Sequence, residues 1–496
     1  MNKLPEDTLD PDDWPAFRQQ SHRMLDDMLD YIEHIRERPV WQAAPDEIRT
    51  HFHAPLPQKE GNLAAAHAQF MHDILPYAVG NAHPGFMGWV HGGGTPVGMA
   101  AEILAAGLNA NLGGRNQMPV EVERQIVRWM RELFQFPDTA SGVFVTGTSM
   151  ANLMSVLVAR TTALGQAVRQ TGLLANGHHC VAYTSAAAHG CIAQAMDLSG
   201  LGIASLRRIP TNEQHQMDLT ALTAAIKADR AAGLLPFFIA GTAGTVDTGA
   251  IDDLAQIARI ANTERIWFHV DGAYGALGMM SPEIAPLLEG IQLADSIAFD
   301  FHKWGQVQYD AGFLLVRDAS LHMDAFAAPA TYLRRETRGL AGGSPWPCDF
   351  GPDLSRGFRA LKTWFTITVF GTEKMGRSMA HTCYLARYLA TQVAAHSELE
   401  LLAPVTLNIV CFRYHPDRTD HPNHQITAEQ LDELNRDIVA DLHESGIAAP
   451  STTTIQGKAA IRAAIVNHRT MQQDIDALIA AVLHHGNIRA SISRRI

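Results

Sequence analysis

The 496-residue chain has no cysteine pair at metal or redox spacing. Its five cysteines, Cys180, Cys191, Cys348, Cys383 and Cys411, are scattered and odd in number, with no Cys-x-x-Cys. That speaks against a zinc knuckle or a disulfide framework and for reduced thiols in a cytoplasmic setting. Long apolar runs are also missing: none approaches the roughly 20 residues needed to cross a bilayer. Residues 1–13 are acidic and have no apolar core, so neither a signal peptide nor a transit sequence is expected. There is no basic stripe, and the formal net charge of -12 argues against a nucleic-acid surface. Internal repeats and low-complexity segments are absent too.

What is present describes a soluble globular protein too long for one ordinary domain. Asp12, Asp13 and Pro15 form a helix-start signal, after which Phe17, Met24, Leu25, Met28, Ile32 and Ile35 recur at helical spacing. Residues 39–60 hold Pro39, Pro45, Pro55 and Pro57, too many for a continuous helix, and a second amphipathic stretch follows at 63–75. This N-terminal segment, residues 1–80, has no core of its own, so it is expected to pack at the interface of a homodimer. From 81 to 375, apolar runs at 142–146, 180–184, 237–240, 266–270, 296–299 and 312–316 alternate with helical patterns. That is the signature of a mainly parallel sheet with crossover helices. Residues 376–496 read as a smaller α/β unit, with a helix at 376–396, strands at 408–414 and 460–466, and helices near 427–445 and 471–484. The Gly-rich stretch 338–344 is the expected mobile element.

Two motifs carry the chemistry. Ile297-Ala298-Phe299-Asp300-Phe301-His302-Lys303-Trp304 and Trp267-Phe268-His269-Val270-Asp271-Gly272-Ala273-Tyr274 each begin as a strand and end in polar groups. Asp271 and Lys303 are thereby set at strand ends, where α/β sheets gather ligands. A lysine in such a desolvated place can attack an aldehyde, and an acid at a second strand end can pair with a pyridine nitrogen. Pyridoxal 5'-phosphate (PLP) asks for both. Gly147-Thr148-Ser149 opens a helix after a strand, where backbone N–H groups and hydroxyls cradle a phosphate. His189, just beyond the next strand, offers a flat ring for stacking. No metal site is expected.

This order resembles the PLP-dependent group II decarboxylases, the family of the aromatic L-amino acid decarboxylases. The likeness runs from about residue 14 to 485 and includes His83-Pro84-Gly85-Phe86, His269-Val270-Asp271, His302-Lys303-Trp304, Thr331-Tyr332-Leu333 and Arg359-Ala360-Leu361-Lys362-Thr363-Trp364-Phe365. The resemblance implies the aspartate aminotransferase-like fold, type I among PLP enzymes, and decarboxylation of an L-amino acid, most often aromatic, to an amine. Carried over residue by residue, Lys303 binds the cofactor aldehyde, Asp271 pairs with the ring nitrogen and His189 stacks on the ring. Thr148, Ser149 and His302 hold the phosphate, Thr245 belongs to the cofactor site and Ala273 lies beneath the ring. Tyr332, on a loop, matches the tyrosine that returns a proton to the substrate carbon.

Departures from the family pattern fall on both the substrate side and the cofactor side. Trp89-Val90-His91 followed by Gly92-Gly93-Gly94 stands where an aromatic residue, Phe and Pro are usual, so Trp89 and His91 are candidate substrate contacts. Met150 replaces an acidic residue, Val246 a threonine and Asp300 an asparagine. An acidic substrate is an alternative, with Arg115 or His91 to meet the anion. An aldehyde-forming enzyme and an aminotransferase using Arg413 or Arg462 are others. A rival from another class is a serine hydrolase: His91-Gly92-Gly93-Gly94 resembles an oxyanion loop, and Ser149, Asp271 and His302 occur in triad order.

Overall fold

The computed structural model describes residues 8–327, 335–416 and 426–493. Asp13 caps the helix Trp14–Glu33, its Oδ1 accepting from the Ala16 N–H at 3.0 Å, with Pro15 in the first turn. The second amphipathic stretch is broken as it forms: a helix at Leu63–Gln69 passes into a wider turn at Phe70–Ile74 and a tight one at Leu75–Tyr77. Arg36 fastens this segment to the far end of the chain, donating to Asp474 Oδ1 at 2.6 Å and to the Arg469 carbonyl at 2.8 Å.

Seven strands form the main sheet, in the order Ser141–Val145, Gly312–Val316, Ser296–Asp300, Trp267–Asp271, Leu235–Thr242, Cys180–Ser185 and Leu206–Ile209. Gly312–Val316 pairs antiparallel with both neighbours, and the other pairings are parallel. All strands but Gly312–Val316 therefore end at one edge of the sheet. The expected runs recur here, buried on both faces as crossover connections demand. Phe144, Phe299, Phe301 and Phe313 pack with ring centroids 5.0–5.8 Å apart, each fully buried ring contributing roughly 1.5–3 kcal/mol. Beside them Arg356 and Glu123, both buried, form a forked pair in which Arg356 also donates to the carbonyls of Leu112 and Phe144, at 2.9 Å each. This pair fixes the strand that leads to Thr148.

The second sheet has the order Phe86–Met87, Ala449–Ile455, Lys458–Ala464, Ile409–Tyr414 and Leu399–Leu401. Its first strand comes from far upstream, Phe86 and Met87 pairing parallel with Ala449 and Pro450, so the C-terminal unit borrows an edge from the stretch assigned to the large domain. The helix expected at 376–396 starts earlier. It runs Arg359–Ala395 and is broken at Gly371, whose φ of 66° and ψ of 159° only glycine adopts readily.

Candidate active site

The common strand edge surrounds a cavity of about 410 Å³, within the size range of cofactor sites. Thr148 is the first residue of the helix Thr148–Leu164, His189 follows the strand Cys180–Ser185, Asp271 ends its strand, and Lys303 lies three residues past Asp300. With Ser149, Ala273 and His302, all of these line the cavity, and Trp89 and His91 form its outer wall. The glycine run explains how that wall arrives. A side chain at Gly92 would stand 2.4 Å from the Lys303 carbonyl oxygen and 2.5 Å from that of His302, so only glycine lets the segment lie on the lysine-bearing turn. Gly92 N–H donates to the His302 carbonyl at 3.2 Å, and Gly93 N–H to Gln306 Oε1 at 2.9 Å.

Charge within the cavity is arranged around two carboxylates. Asp271 accepts from Asn152 Nδ2 and from the Ala273 N–H, each at 3.1 Å. Asp300 accepts from the Thr148 N–H at 2.8 Å and stands 3.0 Å from Lys303 Nζ and 3.6 Å from His302 Nε2. His302 takes the Ala311 N–H on Nδ1 at 2.9 Å, and burial pushes its pKa down to about 4. Its ring packs on Tyr309 with centroids 4.3 Å apart. Burial, assisted by the Lys303 charge, also lowers the pKa of His91, whose ring packs against both Phe86 and Trp89, at 5.6 and 5.8 Å, in a three-ring cluster.

The donor set suits PLP. The Thr148 hydroxyl is buried with no hydrogen-bond partner among the described residues, as is that of Thr242. An orphan such as Thr148, at the positive end of a helix, is what a phosphate satisfies. Lys303 offers an amine to an aldehyde, and Asp271 offers an acceptor to a ring nitrogen.

Most sequence-selected residues converge here. Thr245 is the correction: its hydroxyl is buried away from the cavity, meeting Thr248 Oγ1 and the Ala250 N–H at 3.0 Å each, and Gly244 and Val246 line the wall instead. Tyr332 lies outside the described residues. The hydrolase triad does not form. The N–H groups of Gly92 and Gly93 in its oxyanion loop are already bonded, and the two His302 ring nitrogens face Ala311 and Asp300 rather than Asp271. The candidate substrate arginines are committed elsewhere: Arg413 to Glu400 at 2.6 Å, Arg462 to Val246, Asp247, Trp89 and Ser451, and Arg115 to the face of Trp346. Sequence reasoning missed Asn152, Cys191 and Tyr309. Asn152 lies one helical turn after Thr148, a spacing that could have revealed it; nothing in the sequence singles out Tyr309.

Comparison with known proteins agrees with this geometry. The family model for the pyridoxal-dependent decarboxylase conserved domain matches residues 45–415. An aromatic-L-amino-acid decarboxylase of Bacillus atrophaeus is 30% identical over 463 residues, covering 92% of this chain and 93% of the relative. A phenylacetaldehyde synthase of Petunia hybrida is 27% identical, covering 97% and 95%. Among solved structures, the Oryza sativa TDC with PLP and tryptamine superposes with a TM-score of 0.88 at 23% identity, over 97% of this chain and 100% of that one.

Proposed function

The chain belongs to the pyridoxal-dependent decarboxylase family, and on that premise we propose that it removes carbon dioxide from an aromatic L-amino acid, leaving the amine. The observation that carries the substrate class is the lining of the cavity. Trp89, His91 and Tyr309 supply aromatic surface, and Lys303 is the sole lysine or arginine among the described lining residues. An acidic side chain would need a guanidinium there, and the arginines considered from the sequence are occupied elsewhere. His91, its pKa lowered, serves as an uncharged ring.

When bound, PLP supplies a ring that takes up the electron pair left as carbon dioxide departs. The protein's part is to hold and to aim. Lys303 Nζ holds the cofactor aldehyde and, once released, has an amine free to move a proton. Asp271 accepts the hydrogen bond of the ring nitrogen. The Thr148 and Ser149 hydroxyls, with His302, would bind the phosphate, and His189 and Ala273 would pack against the ring. Trp89, His91 and Tyr309 would orient the substrate by contact with its side chain. Tyr332 delivers the proton to the substrate carbon.

Product analysis by mass spectrometry after incubation with a panel of amino acids tests this reading. An amine from an aromatic member is expected. An amine from glutamate or aspartate would overturn the substrate class, and an aldehyde would overturn the role given to Tyr332. We read the working form as a homodimer, because the helix Trp14–Glu33 buries none of its residues and leaves Trp14, Phe17 and Leu29 exposed. Light scattering that finds an active monomer would refute it.

A further inference from the structure

Behind the cavity floor a run of polar side chains crosses the sheet, in a layer where polar groups are costly unless every one is paired. Trp267, His269 and Asp271 occupy alternate positions of one strand and so share a face. Ser296 belongs to the neighbouring strand and Asn152 to the helix packed over them. Trp267 Nε1 donates to Ser296 Oγ at 2.8 Å, and Ser296 Oγ is 2.8 Å from His269 Nδ1. His269 Nε2 is 2.8 Å from Asn152 Oδ1, and Asn152 Nδ2 donates to Asp271 Oδ2 at 3.1 Å. Asn152, His269 and Ser296 are wholly buried.

The direction of each bond follows from the chemistry of the two ends. An indole N–H only donates, and a carboxylate only accepts. Asn152 must therefore turn its amide nitrogen to Asp271 and its oxygen to His269, which requires the hydrogen of His269 on Nε2. Burial drives the His269 pKa down to about 3, so the ring is neutral and carries that one hydrogen. Its bare Nδ1 accepts from the Ser296 hydroxyl, whose oxygen accepts from Trp267. Reversing any link would set donor against donor or acceptor against acceptor.

We propose that Trp267, Ser296, His269 and Asn152 form a one-way hydrogen-bond chain that fixes Asp271 as an acceptor aimed at the cofactor's ring nitrogen. All four are positioning residues, and none lines the cavity. Cys191 and the Ala273 N–H complete the surroundings of Asp271, the thiol 3.7 Å from Oδ2, while His189, Asp300 and Lys303 line the same cavity. The chain leaves Oδ1 with a single backbone donor and room for a second. The proposal rests on the assignment of Asp271 to the ring nitrogen and not on which amino acid is the substrate.

The test is nitrogen-15 NMR of the whole protein loaded with ring-labelled PLP, at one near-neutral pH. Wild-type protein should give the signal of a protonated ring nitrogen. Asn152→Ala and Ser296→Ala should shift it toward neutral pyridine, and Trp267→Phe should do so to a smaller extent. The absorption band of lysine-bound cofactor should remain in all three, and Ser296→Thr, which keeps the hydroxyl, should restore the wild-type signal. A purely structural role would leave the nitrogen signal unmoved. If Asn152→Ala fails to fold, Trp267→Phe, the mildest change and the farthest along the chain from Asp271, decides the matter. A protonated nitrogen in wild type with no shift in Ser296→Ala or Trp267→Phe overturns the chain alone. An unprotonated nitrogen in wild type overturns the Asp271 assignment beneath it.

Discussion

Replacing Thr148 by valine should move two properties in opposite directions. Thr148 opens the helix Thr148–Leu164, and its hydroxyl is buried without a partner among the described residues. A buried hydroxyl left unsatisfied costs about 1–3 kcal/mol. Valine has nearly the same shape and the same branching at Cβ, so the helix start is little disturbed. The cofactor-free variant should therefore be as stable as wild type, or more stable by up to about 3 kcal/mol. On the proposed assignment the same hydroxyl would donate to the phosphate in the loaded protein, a charge-assisted bond contributing about 1.5–3 kcal/mol. Its loss should weaken PLP binding by about 10- to 150-fold. Urea unfolding of cofactor-free protein and a PLP titration followed by absorbance measure the two effects. If PLP affinity stays within about twofold of wild type, or if the cofactor-free variant loses stability, Thr148 is not the phosphate ligand.

Breaking the buried pair should be costly in one direction only. Arg356→Leu, which strands Glu123 among apolar side chains, should lose about 3–5 kcal/mol in urea unfolding, and adding Glu123→Leu should recover most of it; equal losses in single and double variants would refute this. Asp300→Asn keeps an oxygen acceptor for the Thr148 N–H but takes a negative charge out of a cavity that must receive a phosphate. PLP should bind more tightly, by about tenfold, and weaker binding would make Asp300 a cofactor ligand through its charge. Stability should fall on acidification. Burial lowers the pKa of His269 and His322 to about 3 and of His302 and His468 to about 4. Between about pH 6 and 4.5 the unfolded chain, whose histidines titrate near 6.5, binds these protons and the native state does not. Asp252, raised to about 6 by burial, opposes them by one proton. The net slope is about 4 kcal/mol lost per pH unit; a urea midpoint that does not fall between pH 6 and pH 5 would refute it.

The parts of the site that were legible in the sequence are those whose signal is local. Asp271 and Lys303 each close an apolar run, and a run of strand length followed by polar residues puts its last side chains at a sheet edge wherever the strand pairs. Thr148 and Ser149 were legible because helix starts write themselves in glycine and hydroxyl residues. Thr245 failed for a related reason: in a turn, neighbouring side chains point to opposite sides, so being one residue out exchanges a lining position for a buried one. The pairing of Phe86 with Ala449 and the break at Gly371 depend on packing between distant segments, which no local pattern records.

Asn152 shows what local reading leaves out. Alone it is a polar residue in an apolar helix, a feature that normally counts against burial. It becomes intelligible only when parallel pairing sets His269 beside Ser296 and the overlying helix brings the amide between His269 and Asp271. The two strand-end motifs hold Asp271 and Lys303, the groups proposed to touch the cofactor. The alternate positions of the same strand, Trp267 and His269, determine which way one of those groups faces. A strand in this sheet is buried on both faces, so residues that never reach the cavity can still act on it through the layer behind. The polar residues of that layer, rather than the cavity wall, are where a substitution should change the chemistry of the ring without changing what the pocket admits.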